Sequence, residues 1–162
     1  MICKSNSFEV LGMSNSQLIS QIPPCLGHFS SSLLVLNMKN NCFQGNLPKS
    51  FIQGCNLMTL DFSHNQILGK IPRSLVSNVL VLNLGNNNVN DAFAFWLQSF
   101  LELQILVSQE NRFHGLIWNP HTRFGFSKLH VIDLSKKKFS GRLSLEYLKT
   151  WNAMLTVPAK DN

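Results

Sequence analysis

The stretch LLVLNMKNNCFQGNLP, residues 33–48, carries the reading of the whole chain. Leu36 and Met38 flank Asn37, the period-two alternation of a short strand with one buried and one exposed face. Asn41 follows where the chain must leave the strand and turn. A buried Asn amide at such a turn can bond the backbone of its own and neighbouring coils, satisfying groups that would cost about 1–3 kcal/mol each if left unpaired. Phe43 returns to an apolar position, Gly45 permits a positive φ, and Leu47-Pro48 closes the unit, with Pro limiting hydrogen bonding on the far side.

The same unit recurs along the chain. Its anchors are Leu11, Leu36, Leu60, Leu82, Leu106 and Ile132, spaced by 25, 24, 22, 24 and 26 residues. Two residues after each anchor stand Met13, Met38, Phe62, Leu84, Ser108 and Leu134. Five after it stand Ser16, Asn41, Asn65, Asn87, Asn111 and Lys137, and two further on Leu18, Phe43, Ile67, Val89, Phe113 and Phe139. Gly45, Gly69, Gly115 and Gly141 fill the next alternate site in four copies. Columns at this period specify a leucine-rich-repeat solenoid. The expected architecture has about six stacked coils, few helices and a short parallel sheet along a concave face, around one continuous column of Leu, Ile, Phe and Val. Residues 1–148 are assigned to an uncapped repeat domain and 149–162 to a non-repeat tail. Lys137 breaks the Asn column: it cannot accept a hydrogen bond and is expected to snorkel or push its turn outward.

Composition agrees. The 162 residues suit one domain, and 25 Leu with 18 Asn and 18 Ser match a repeat that fixes Leu and Asn in place. Hydrophobic residues make up 44%, which excludes charge-driven disorder. No run of about 18 uninterrupted apolar residues exists to span a membrane. The formal charge of +6 sits wholly in residues 111–162, where nine basic residues face three acidic ones; residues 1–110 carry five of each. Lys136, Lys137 and Lys138, bounded by Ser135 and Phe139, read as a turn rather than a nucleic-acid patch.

The segments IPPCLGHFSSSLLVLNMKNNCFQGNLPKSF, LNLGNNNVNDAFAFWL and FHGLIWNPHTRFGFSKLHVIDLSKKKFSGRLSLEYLKTWNAML resemble the plant-type leucine-rich repeat, L-x-x-L-x-L-x-x-N-x-F-x-G-x-I-P, with a second short strand at its G-x-I-P segment. More closely, they resemble the membrane-proximal repeats of Cf-type plant receptor-like proteins, before the non-repeat island. Trp118-Asn119-Pro120 to Phe126 is the most specific part. The resemblance implies an extracellular recognition segment of a defence or developmental receptor, at the plasma membrane and signalling through a partner kinase. Met1–Val10 lacks the apolar core of a secretory signal, and capping cysteines and a membrane helix are not found in the chain, so attachment to a membrane is expected only through further segments. Two alternatives stand beside this reading: a truncated receptor fragment without activity, and a secreted leucine-rich-repeat inhibitor of a cell-wall hydrolase.

The natural contact surface is the exposed part of the concave strands. Its columns read Gly12, Asn37, Asp61, Asn83, Val107 and Asp133; then Ser14, Lys39, Ser63, Gly85, Gln109 and Ser135; then Asn15, Asn40, His64, Asn86, Glu110 and Lys136. Asn37, Lys39, Asn40, Asp61, Ser63, His64, Asn83, Asn86, Gln109 and Glu110 are the candidate ligand contacts. Small, polar and mixed in sign, they suit a peptide, protein or glycan. A phosphate backbone would want repeated Arg and Lys. Asp61, Ser63 and His64 imitate a catalytic triad, but their adjacency on one exposed strand gives no buried, oriented base. His114 and His121 span an irregular segment and make a poor metal pair. No catalytic residue, metal or cofactor is assigned. Cys3, Cys25, Cys42 and Cys55 match no known framework and are read as thiols, with two disulfides as the alternative.

Overall fold

In the computed structural model, residues 7–28, 32–49, 56–75, 78–93, 100–117, 126–141, 148–149, 151 and 153 are described. Each L-x-x-L-x-L unit forms a three-residue strand: β1 (Val10–Gly12), β3 (Val35–Asn37), β5 (Thr59–Asp61), β7 (Val81–Asn83), β9 (Ile105–Val107) and β11 (Val131–Asp133). They pair in parallel in that order as one six-stranded sheet. The anchors lie in register throughout, Leu11 opposite Leu36, then Leu60, Leu82, Leu106 and Ile132. Leu36, Leu60 and Leu82 have no exposed surface, and burying each contributes about 1.5–3 kcal/mol. Met38, Phe62 and Leu84 lie beneath the same sheet, and Phe43, Ile67, Val89 and Phe113 continue the core on its far side.

Short second strands follow each turn: β2 (Ile19–Gln21), β4 (Cys42–Asn46), β6 (Gln66–Gly69), β8 (Asn88–Val89), β10 (His114–Leu116) and β12 (Lys138–Ser140). In the coils anchored at Leu36 and Leu60 they begin just after the buried Asn and run through the Gly, earlier than the expected G-x-I-P site. The buried amide explains the shift, because it fixes the backbone as the turn ends. This second sheet is interrupted: β2-β4-β6-β8 form one group and β10-β12 another. Gly45, Gly69 and Gly115 adopt φ of 81°, 73° and 89°. Asp91 holds the equivalent place in the coil anchored at Leu82 and does not enter the left-handed region. Strand β8 therefore stops after two residues, and an isolated bridge, Ala92 to His114, and a backbone bond from Arg112 N to Val89 O at 2.8 Å cross the gap.

The Asn column forms a hydrogen-bonded ladder. Asn87 Nδ2 donates to Phe62 O, Leu84 O and Gly85 O at 2.9, 3.0 and 3.2 Å, while its Oδ1 accepts from Ile67 N at 3.0 Å. Asn65 and Asn111 repeat the pattern one coil away on either side. Asn41 does so with Met13 O and Leu18 N. Lys137 departs from the expectation: it neither snorkels nor is expelled. Its Nζ is covered, finds no hydrogen-bond acceptor among the described residues and lies 5.0 Å from the Phe113 ring centroid. The ring face attracts the ammonium, and the apolar rung it occupies was shaped for an amide.

One further expectation changes. Cys25 is disulfide-bonded, its partner lying outside the described residues, whereas Cys42 is a half-buried free thiol. The spacing of the cysteines alone did not reveal which side chains the stacked coils bring together. In the tail, Trp151 is buried against Phe126, ring centroids 6.1 Å apart. Most of Trp118 to Phe126 with His121, and Cys3 and Cys55, lie outside the described residues.

Candidate functional site

The concave face is built by the strand residues that alternate with the core-facing leucines. Asn37, Asp61 and Asn83 line one column, half-buried and in direct register. Their side chains also shape the turn. Asn37 Oδ1 accepts from Lys39 N at 3.1 Å, Asp61 Oδ1 from Ser63 N at 2.8 Å and Asn83 Oδ1 from Gly85 N at 3.1 Å. Asp133 repeats the bond with Ser135 N at 2.9 Å. These are Asx turns, which explains why the column favours Asn and Asp. Those same bonds with Ser135, backbone first, hold the Asp133 carboxyl below its ordinary pKa.

One candidate is corrected. Ser63 is 2% exposed, and its Oγ donates to Asp61 Oδ1 at 2.7 Å. The covered hydroxyl braces Asp61 within the same coil. His64 points elsewhere: it is exposed, with Nε2 3.3 Å from Asn86 Nδ2. Asp61, Ser63 and His64 thus do not form a relay.

The next column has a shared backbone geometry. Asn15, Asn40, His64, Asn86, Glu110 and Lys136 all adopt φ between 53° and 56°, a region Asn tolerates better than most residues. Their side chains bond coil to coil. Asn40 Nδ2 donates to Asn15 Oδ1 at 2.8 Å, Asn86 meets His64, and Lys136 pairs with Glu110. Lys39 is exposed and Gln109 half-buried. Asn37, Lys39, Asn40, Asp61, His64, Asn83, Asn86, Gln109 and Glu110 therefore do share one face, several of them already bonded to each other.

A second strip on this face was missed. The residues just before the anchors are Val10, Val35, Thr59, Val81, Ile105 and Val131, apolar in five of six coils. Val35, Thr59, Val81 and Ile105 are half-buried, and Val10 and Val131 are 61% and 47% exposed. Met58, preceding Thr59, is 40% exposed. The signal was present as a column of β-branched residues, but β propensity alone accounts for such residues in strands. Only the burial pattern shows that they face outward. Among the described residues no group of three His, Cys, Asp or Glu is placed to hold a metal ion.

Comparisons with known proteins agree with this geometry. The Leucine Rich Repeat family model matches residues 32–53 and 56–78. The chain is 41% identical over 155 residues to Receptor-like protein 35 of Arabidopsis thaliana, covering 94% of this chain and 16% of that relative. The chain belongs to the plant leucine-rich-repeat receptor-like proteins. As a receptor-like protein segment it spans about a sixth of that relative's length. The solved LRR ectodomain of the Arabidopsis thaliana receptor kinase GASSHO1/SCHENGEN3, in complex with CASPARIAN STRIP INTEGRITY FACTOR 2, matches with a TM-score of 0.81 at 29% identity, over 94% of this chain and 18% of that one. The HAESA LRR ectodomain, in complex with an IDA peptide hormone ligand, matches with a TM-score of 0.78 at 28% identity, over 88% of this chain and 24% of that one.

Proposed function

We propose that this receptor-like protein segment forms part of an extracellular ligand-recognition surface, in a plasma-membrane receptor for defence or developmental signalling that works with a co-receptor kinase. One observation carries the reading: the concave sheet presents a continuous polar strip, Asn37-Asp61-Asn83, beside a column of Val35, Val81 and Ile105 with Thr59 among them. Such a face suits a peptide or protein, with a glycan as a further ligand class. The disulfide at Cys25 fits an oxidising compartment. The peptide-hormone complex of the HAESA ectodomain supports the ligand class. Six strands about 4.8 Å apart, each exposing about 16 Å of backbone, offer of order 400 Å². That is about half of one side of a standard interface, so the segment contributes to a larger surface.

Binding of plant extracellular-fluid peptides to the immobilised chain tests this. Val81→Glu/Ile105→Glu is expected to abolish binding, and Leu68→Glu/Leu116→Glu on the second strands to leave it unchanged. The opposite pattern overturns the reading.

A further inference from the structure

Three coils in a row build the same Asx turn, and two of them do it with a neutral side chain. Asn37 and Asn83 make the bond at 3.1 Å each, and Asp61 between them makes it at 2.8 Å. The turn needs a carbonyl-type oxygen and no charge. Asp61 therefore carries a negative charge that the architecture does not require. Its Oδ1 accepts from Ser63 N and Ser63 Oγ, and its Oδ2 from Asn83 Nδ2 at 3.2 Å. These neutral donors hold both oxygens in place without cancelling the charge. The two ion pairs among the described residues, Lys128 with Glu102 and Lys136 with Glu110, leave Asp61 without a cation.

The surroundings limit what can supply that cation. Asp61 is half-buried at the middle of the sheet, with Asn37 and Asn83 on either side. Two residues back along its strand lies Thr59, in register with Val35 on one side and with Val81, then Ile105, on the other. A partly desolvated carboxylate beside an aliphatic strip favours a cation that carries apolar surface with it, because a lone hydrated ion gains nothing from the strip.

We infer that Asp61 anchors a basic side chain of an extended peptide ligand that runs along its strand, and that the residue two places away seats an aliphatic or aromatic side chain over Thr59, between Val35 and Val81. The geometry of extended chains sets the spacing: residues i and i+2 project to one face about 6.6 Å apart, the same separation that divides Asp61 from the level of Thr59 and Val81. Either Arg or Lys suits the site, since Oδ1 already accepts two bonds and Oδ2 keeps room for one more donor, while the stem of either residue lies along the apolar strip. This specificity rests on the recognition reading above and adds the ligand's chemistry to it.

The test is selection of a phage-displayed random peptide library on the full chain and two variants. Asp61→Asn keeps the turn, as Asn37 and Asn83 demonstrate, and removes the charge together with the bond that Oδ2 accepts from Asn83 Nδ2; Val81→Glu blocks the apolar strip. Wild type is expected to enrich peptides with Arg or Lys two positions from Val, Ile, Leu or Phe. Asp61→Asn is expected to reduce enrichment of the basic position at least tenfold with an unchanged thermal midpoint, and Val81→Glu to abolish selection. Enrichment lost with Val81→Glu yet indifferent to Asp61→Asn, or directed to acidic peptides, overturns this inference and leaves the recognition face intact. Selection insensitive to both variants overturns the inference and the recognition reading together.

Discussion

In the coils anchored at Leu36, Leu60, Leu82 and Leu106 the chain turns over a buried Asn, and the coil anchored at Ile132 does it differently. Asn87 places four hydrogen bonds there, three given and one received. Lys137 occupies the same point and places none among the described residues. An ammonium has no lone pair, so the Phe113 N–H loses the acceptor that Asn111 offers to Val89 N–H. Neighbouring features follow. Asn41, Asn65 and Asn87 each donate a backbone N–H to the next coil, to His64, Asn86 and Glu110. The bond from Glu110 N to Ser135 O is stretched to 3.4 Å, against 2.8 Å for His64 N to Gly85 O. Ile132 is only half-buried, where Leu82 is fully covered. The comparison teaches that the amide couples coils and the leucines alone do not. Stability in a solenoid is a sum of coil and junction contributions, and the fifth junction is the weak one.

That comparison can be broken most directly at Asn87. Replacing it with Ala strands several buried backbone groups and should lower unfolding free energy by about 3 kcal/mol or more, measured by urea denaturation. A loss below about 1 kcal/mol would mean that the ladder is not what joins the coils. Lys137→Asn runs the other way. It restores the rung, and we expect a gain of about 1 kcal/mol with slower amide exchange across 131–141; a destabilised variant would contradict the account.

The same lysine sets a pH dependence. Burial, opposed by Asp133 and Glu110, lowers its pKa to about 8 from the ordinary 10.5. Between those values the unfolded chain holds a proton that the folded chain has released, so stability rises with pH from about 8 to about 10.5. Below pH 8 the cost of the covered charge is fully present. Lys137→Met should remove that slope from an unfolding series across the window, and a slope unchanged in the variant assigns it to other groups. The smallest effect belongs to the exposed pair Lys128–Glu102, whose side chains are 51% and 42% exposed. Lys128→Ala should change stability by no more than about 0.5 kcal/mol, a baseline against which the junction variants are read by the same denaturation.

Much of this fold was legible because a solenoid repeats one local problem. Leu36, Asn41 and Gly45 each answer a constraint within a single coil, and the constraint returns every 22–26 residues, so aligned columns expose it. The anchors paired as aligned. The site was less legible. Ser63 stood in an exposed column yet is covered, since its burial depends on how adjacent coils close over it. The column led by Asn15 and Asn40 reads as a polar face, but its members bond one another across coils. The strip from Val35 to Ile105 was hidden by ambiguity, because β-branched residues serve a strand whether they face core or solvent.

The sequence by itself determined the repeat, its period, the strand and turn positions and the identity of the buried Asn, because each is set by contacts within one unit and its copies. Tertiary structure decided what depends on neighbours a coil apart. It turned Lys137 inward, paired Cys25 in a disulfide, interrupted the second sheet at Asp91, and left the charge of Asp61 without a cation among the described residues. Burial and charge pairing are properties of stacked coils, and a single strand does not carry them.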